Sequence, residues 1–157
     1  MLIEVQSPQF RDTRRYEYQP GAPEPLAPRL LPGASSVPKP NRYVEVPLLY
    51  GLTLLGELSG ANFFDATVAA ARAAGWTQPG IVGLRVTLAA DNGFYSQAAE
   101  LQARGWPLSA ASLKALPQML APRKDESGDF AKTGLGSSAT LVTSLLGALL
   151  HTFGAIN

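Results

Sequence analysis

The chain has 157 residues, enough for one domain or part of a larger one, and 46% of them are hydrophobic, so a core can form. Thirteen basic residues against 12 acidic ones leave a net charge of +1, which offers no electrostatic case for a nucleic-acid partner. There is no cysteine and one histidine, which excludes disulfides, thiolate metal sites and multi-histidine clusters.

The first residues lack a basic segment followed by an apolar run, so they do not read as a signal peptide. Leu2-Ile3-Glu4-Val5 and Arg15-Tyr16-Glu17-Tyr18 alternate as short strands and predict a hairpin. Arg11, Arg14 and Arg15 form a loose basic group that Asp12 and Glu17 dilute, as in an exposed turn. The stretch 19–40 carries prolines at 20, 23, 25, 28, 32, 38 and 40. Proline fixes φ and removes a backbone donor, so this stretch predicts a loop or linker.

Asn41 is placed to cap a helix on which Tyr43, Val46, Leu49, Tyr50, Leu54 and Leu58 recur near helical spacing, with Pro47 tolerated in its early turns or kinking it. A second, alanine-rich helix is predicted over 63–74, ended by Gly75. Residues 81–88 read as a strand with Val82, Leu84, Val86 and Leu88 on one face. Asp91-Asn92-Gly93-Phe94-Tyr95-Ser96 has the composition of a turn held by Asx hydrogen bonds.

Ser109, after Pro107, caps a short helix to about Leu116. A second loop, 117–130, contains the charge run Lys124, Asp125, Glu126 and Asp129, read as solvated. The final apolar segment, 140–153, reads as a core helix. The window 139–156 is barely long enough to span a bilayer and holds Thr140, Thr143, Ser144, Gly147, His151, Thr152 and Gly154, so no membrane partner is expected. His151 reads as a packing or surface residue, and Trp76 and Trp106 as core or boundary anchors. Strands, helices, a strand and further helices in this order predict an α+β fold with a mixed or antiparallel sheet.

Lys132-Thr133-Gly134-Leu135-Gly136-Ser137-Ser138-Ala139 is where chemistry is expected. Its glycines permit a tight turn, and its hydroxyls stand where a helix begins, beside unpaired amides and the positive end of the helix dipole. With Lys132 nearby, these parts make a phosphate cradle. The spacing is neither a Walker A loop nor a Rossmann fingerprint. On spacing alone, a glycine turn that caps a buried helix, with Ser137 or Ser138 as N-cap, explains it equally well.

The same octapeptide, extended through Leu141-Val142-Thr143 and Ala148-Leu149-Leu150, resembles the second motif of the GHMP small-molecule kinases. Val5-Gln6-Ser7-Pro8-Gln9-Phe10, Asn92-Gly93-Phe94-Tyr95-Ser96, and Arg104-Gly105-Trp106-Pro107-Leu108 followed by Leu116-Pro117 are similar, in the same order, to the plant-like phosphomevalonate kinases of that superfamily. The resemblance implies a partial GHMP N-terminal, ATP-binding domain over 1–157, a mixed sheet packed against helices and incomplete at both ends, without the C-terminal domain. It implies transfer of the γ-phosphoryl group of ATP to 5-phosphomevalonate, with ATP and Mg²⁺ as cofactors. Lys132, Thr133, Gly134, Leu135, Gly136, Ser137, Ser138 and Ala139 would bind ATP, and Ser138 would ligate the metal.

The family's Pro-Gly-Lys first motif finds no match here, and its catalytic aspartate follows the second motif. The resemblance therefore assigns no catalytic or substrate-binding residue, and the chain alone is expected to have no turnover. Another GHMP kinase, or a non-catalytic nucleotide- or partner-binding form of the fold, would carry the same loop. A cytoplasmic location is expected, with a peroxisomal one as the alternative. Oligomeric state is not legible.

Overall fold

Alternation along the first strand governs the architecture. In β1 (Leu2–Ser7), Ile3 and Val5 point to one side and are 0% and 2% exposed, while Glu4 points to the other and is also buried. Strand β2 (Asp12–Tyr18) repeats the pattern, with Tyr16 and Tyr18 buried on the apolar face and Arg15 and Glu17 on the polar face. The structure is a computed structural model that describes residues 1–60, 63–73, 83–124 and 128–156. Its elements are completed by β3 (Leu26–Arg29), α1 (Arg42–Ser59), α2 (Phe63–Ala73), β4 (Gly83–Thr87), α3 (Ala98–Ala103), α4 (Ala110–Lys114) and α5 (Ser137–Thr152).

The four strands form one mixed sheet in the order β3-β2-β1-β4, so the fold is α+β as expected. Met1 and Tyr18 exchange both backbone hydrogen bonds, at 2.7 and 2.8 Å, as an antiparallel hydrogen-bonded pair does. The hairpin is therefore present. Strand β3 pairs antiparallel with β2, with Tyr16 opposite Pro28 and Glu17 opposite Ala27. This corrects the reading of 19–40 as loop throughout. Proline is tolerated because β3 ends the sheet, where a missing donor leaves no central ladder broken.

The chain divides into two compact units. The first comprises Met1–Gln6, Thr13–Val86 and Ser138–Asn157. Here α1 covers the tyrosine face of the sheet. Tyr16 Oη donates to Glu45 Oε1 at 3.3 Å, Tyr18 Oη and Thr53 Oγ1 are 3.4 Å apart, and the Tyr18 and Phe64 rings are 5.1 Å apart. Asn41 caps α1 as predicted, accepting from the Tyr43 amide. Pro47 lies inside the helix and is buried without ending it; the amide it lacks is the usual donor to the carbonyl of Tyr43, an exposed residue.

The helix is present as predicted, but the residues that marked it are mostly not the ones it buries. Val44, Pro47, Leu48, Gly51, Leu52 and Leu55 are buried, whereas Tyr43, Val46, Tyr50, Leu54 and Leu58 are exposed. Two apolar stripes run along this helix, and spacing alone does not distinguish them. In helix α5, Leu145 and Leu149 are buried. A Cβ on Gly51 would meet Leu146 Cδ1 at 3.0 Å and Leu149 Cδ1 at 3.1 Å, so the absence of a side chain lets the helices approach. In β4, Leu84 and Val86 are half-buried and alternate with exposed Arg85 and Thr87; Val82 and Gly75 lie outside the described residues.

The second unit comprises Ser7–Asp12 and Thr87–Ser137. It holds the short helices α3 and α4, two single turns of 3-10 helix at Pro8–Phe10 and Asn92–Phe94, and a small apolar centre including Leu101 and Leu116. Helix α4 is capped by Ser109 as expected, with the serine hydroxyl accepting from Ser112 N. Helix α3 was not anticipated: it is six residues long and too short for a periodic signal.

Candidate functional site

The Gly/Ser loop is fixed in the second unit by the 91–96 turn. Lys132 and Tyr95 form an antiparallel bridge, Ser96 N donates to Ala131 O at 2.7 Å, and Thr133 N donates to Phe94 O at 3.2 Å. Thr133 Oγ1 adds a hydrogen bond to Gly93 O at 2.7 Å. The turn is itself braced. Asp91 Oδ1 accepts from Gly93 N, the Asx bond predicted for it, and Asn92 bonds Pro117 O and Leu120 N, each at 2.7 Å. Gln9 reaches Ala90 from the 3-10 turn, and Phe10 makes edge contacts with Tyr95 and Phe130 at 5.5 and 5.3 Å. Segments far apart in sequence, each among those that carried the resemblance, are thereby joined in one cluster.

Beyond Thr133 the chain reverses through two left-handed glycines, Gly134 at φ +81° and Gly136 at φ +75°. A side chain at either would meet nothing within 4 Å, so these glycines are required by backbone conformation and not by crowding. Residues 131–136 are exposed. Among the described residues, the amides of Gly134 and Leu135 have no acceptor. Helix α5 begins at Ser137, so Ser137 and Ser138 stand in its first turn and not before it as N-cap. Both are half-buried and Ala139 is exposed. Burial raises the pKa of the Tyr95 phenol, and a hydrogen bond with Ser137 partly offsets that shift.

The parts of this loop suit an anion. Within the second unit it offers the Lys132 side chain and the amides of Gly134 and Leu135, which have no acceptor among the described residues. No group of three or more His, Cys, Asp or Glu side chains is placed to hold a metal among the described residues. A hydroxyl-only donor set fits a Mg²⁺ ion held chiefly by phosphate oxygens and water.

The other sequence candidates lie apart from this role. His151 is exposed near the end of α5, and Trp106 is partly exposed with the Arg104 guanidinium 5.3 Å from its ring centroid. Arg15 is paired with Glu4 at 2.9 Å. Of the charge run, Lys124 lies 5.6 Å from the Phe130 ring centroid, and Asp125 and Glu126 fall outside the described residues. Sequence reading missed the buried carboxylate of Glu100, clasped by Arg104 and Arg123; the i,i+4 spacing of Glu100 and Arg104 was the available signal.

The chain is 35% identical over 83 residues to the peroxisomal phosphomevalonate kinase of Arabidopsis thaliana, a match that covers 48% of this chain and 16% of that protein. The chain thus spans about a sixth of the length of this curated relative. No family model matches, and no solved structure matches. No helix among the described residues is long and apolar enough to cross a membrane.

Proposed function

We propose that the 132–139 loop binds the phosphate chain of a nucleotide, and that the protein it belongs to is an ATP-dependent phosphomevalonate kinase. In this reading residues 1–157 form part of its nucleotide-binding half. The supporting observation is the backbone pairing of the loop with the 91–96 turn, after which Gly134 and Leu135 are exposed and their amides have no acceptor among the described residues. The partial similarity to a plant phosphomevalonate kinase points to the same substrate class.

The amides of Gly134 and Leu135 would receive phosphate oxygens, and Lys132 would add a positive charge beside them. Ser138, with Ser137 beside it, would offer its hydroxyl to Mg²⁺. Bound MgATP supplies the transferable phosphoryl group and neutralises charge on it, so the protein's work is to position and stabilise. 5-Phosphomevalonate would be the acceptor.

Calorimetric titration with ATP, with and without Mg²⁺, tests the reading. Wild type should bind more tightly with the metal, and Ser138→Ala should lose most of that difference. Equal binding by both proteins removes Ser138 as a metal ligand. No binding by wild type overturns the proposed function.

A further inference from the structure

We propose that Thr133 is a positioning residue, which aims the amides of Gly134 and Leu135 without touching the nucleotide itself. The inference rests on the nucleotide-binding reading of the loop. A threonine has two protons to donate, one on its amide and one on its hydroxyl. Both are already committed to the 91–96 turn, the amide to Phe94 O and the hydroxyl to Gly93 O at 2.7 Å. A phosphate accepts hydrogen bonds and gives none when fully ionised, so Thr133 has nothing left to offer one.

Its two acceptors are firmly held. Gly93 is bonded to Asp91, and Asn92 ties the turn to Pro117 and Leu120. Gln97 Nε2 closes the far side by donating to Asn92 O and Tyr95 O, at 3.2 and 3.1 Å. Past Thr133 the local restraint weakens. Gly134 and Leu135 are exposed, their amides have no acceptor among the described residues, and a side chain at 134 would meet nothing. Thr133 is therefore the last residue tied to the turn before the amides that would grip phosphate. A loop free to rotate there would have to be ordered at the moment of binding, at a cost to affinity.

The test compares wild type with Thr133→Val, which keeps the branched shape and loses the hydroxyl, with Thr133→Ala as a second deletion, and with Thr133→Ser, which keeps the hydroxyl. MgATP affinity is measured by calorimetry, and exchange of the residue-133 amide is followed by NMR without nucleotide. The Ser96 amide reports whether the turn itself is intact. Loss of one hydrogen bond predicts binding about fivefold weaker in Val and Ala, with Ser within about twofold of wild type. The residue-133 amide should exchange faster in Val and Ala, with Ser96 unchanged. Val and Ala binding as wild type does, or Ser as weak as Val, overturns the role of Thr133 while leaving the nucleotide site standing. No MgATP binding by wild type overturns the nucleotide reading and this proposal together.

Discussion

Glu4 stands on the polar face of the sheet, 3% exposed, with Arg15 at 2.9 Å, Arg85 at 3.2 Å and Gln6 at 2.7 Å. A buried carboxylate so enclosed adds little over an apolar replacement of the whole group, but removing one member strands the others. Glu4→Ala should cost about 3–5 kcal/mol in urea denaturation. A loss under about 1 kcal/mol would mean that Arg15 and Arg85 find water without difficulty. Glu100 makes a different prediction. Its hydrogen bonds to Arg123 and Arg104 hold its carboxyl below the ordinary carboxylate range. The unfolded chain takes up that proton near pH ~4.3, so on acidification it binds protons before the folded one does. The stabilisation is complete above that range and is lost as pH falls through the folded value. Glu100→Gln should be less stable at neutral pH and lose stability less steeply toward acid. Parallel acid-unfolding curves for the two proteins would contradict the assignment.

Among the elements, α1 gives the sharpest contrast. Leu52 is 0% exposed and Leu54 is 40% exposed, two positions apart on one helix. Leu52→Ala should cost about 2–5 kcal/mol through lost burial and a residual cavity. Leu54→Ala should stay within about 1 kcal/mol. Equal losses would mean that the covered face has been assigned wrongly. The element boundaries set by caps and alternation were legible in the sequence: Asn41, Ser109, the β1–β2 hairpin, and the Asx turn at Asp91. The covered face of α1 was not, because Tyr43, Val46, Tyr50, Leu54 and Leu58 form as regular a stripe as the buried set. Strand β3 was hidden by Pro28, whose placement depends on where the sheet ends. At the site, the octapeptide was legible as a glycine turn that leads into a helix. Its pairing with the 91–96 turn was not, since a bridge between Tyr95 and Lys132 leaves no local sequence signal.

At the scale of the whole molecule, the two units are stabilised by different means. Among the described residues, the first has a four-stranded sheet and three helices over a set of fully buried apolar side chains. The second has two short helices and a web of side-chain-to-backbone bonds from Gln9, Asn92, Gln97 and Thr133. Few buried apolar groups and many exposed hydrogen bonds mark a region that opens easily. Amide exchange should therefore be slower in β1, β2 and α1 than in α3, α4 and the 91–96 turn. Equal protection throughout would show that the web is as strong as the core.

The single hydrogen that Gly51 carries where other residues carry a side chain reaches further than its own helix. A methyl group there would press on Leu146 and Leu149 at 3.0 and 3.1 Å, and those side chains of α5 would have to give by a few tenths of an ångström. Ser138 rides on that helix, eight residues and about 12 Å along its axis from Leu146. A change buried in the hydrocarbon interior would then bear on the helix that carries the hydroxyl proposed for the metal.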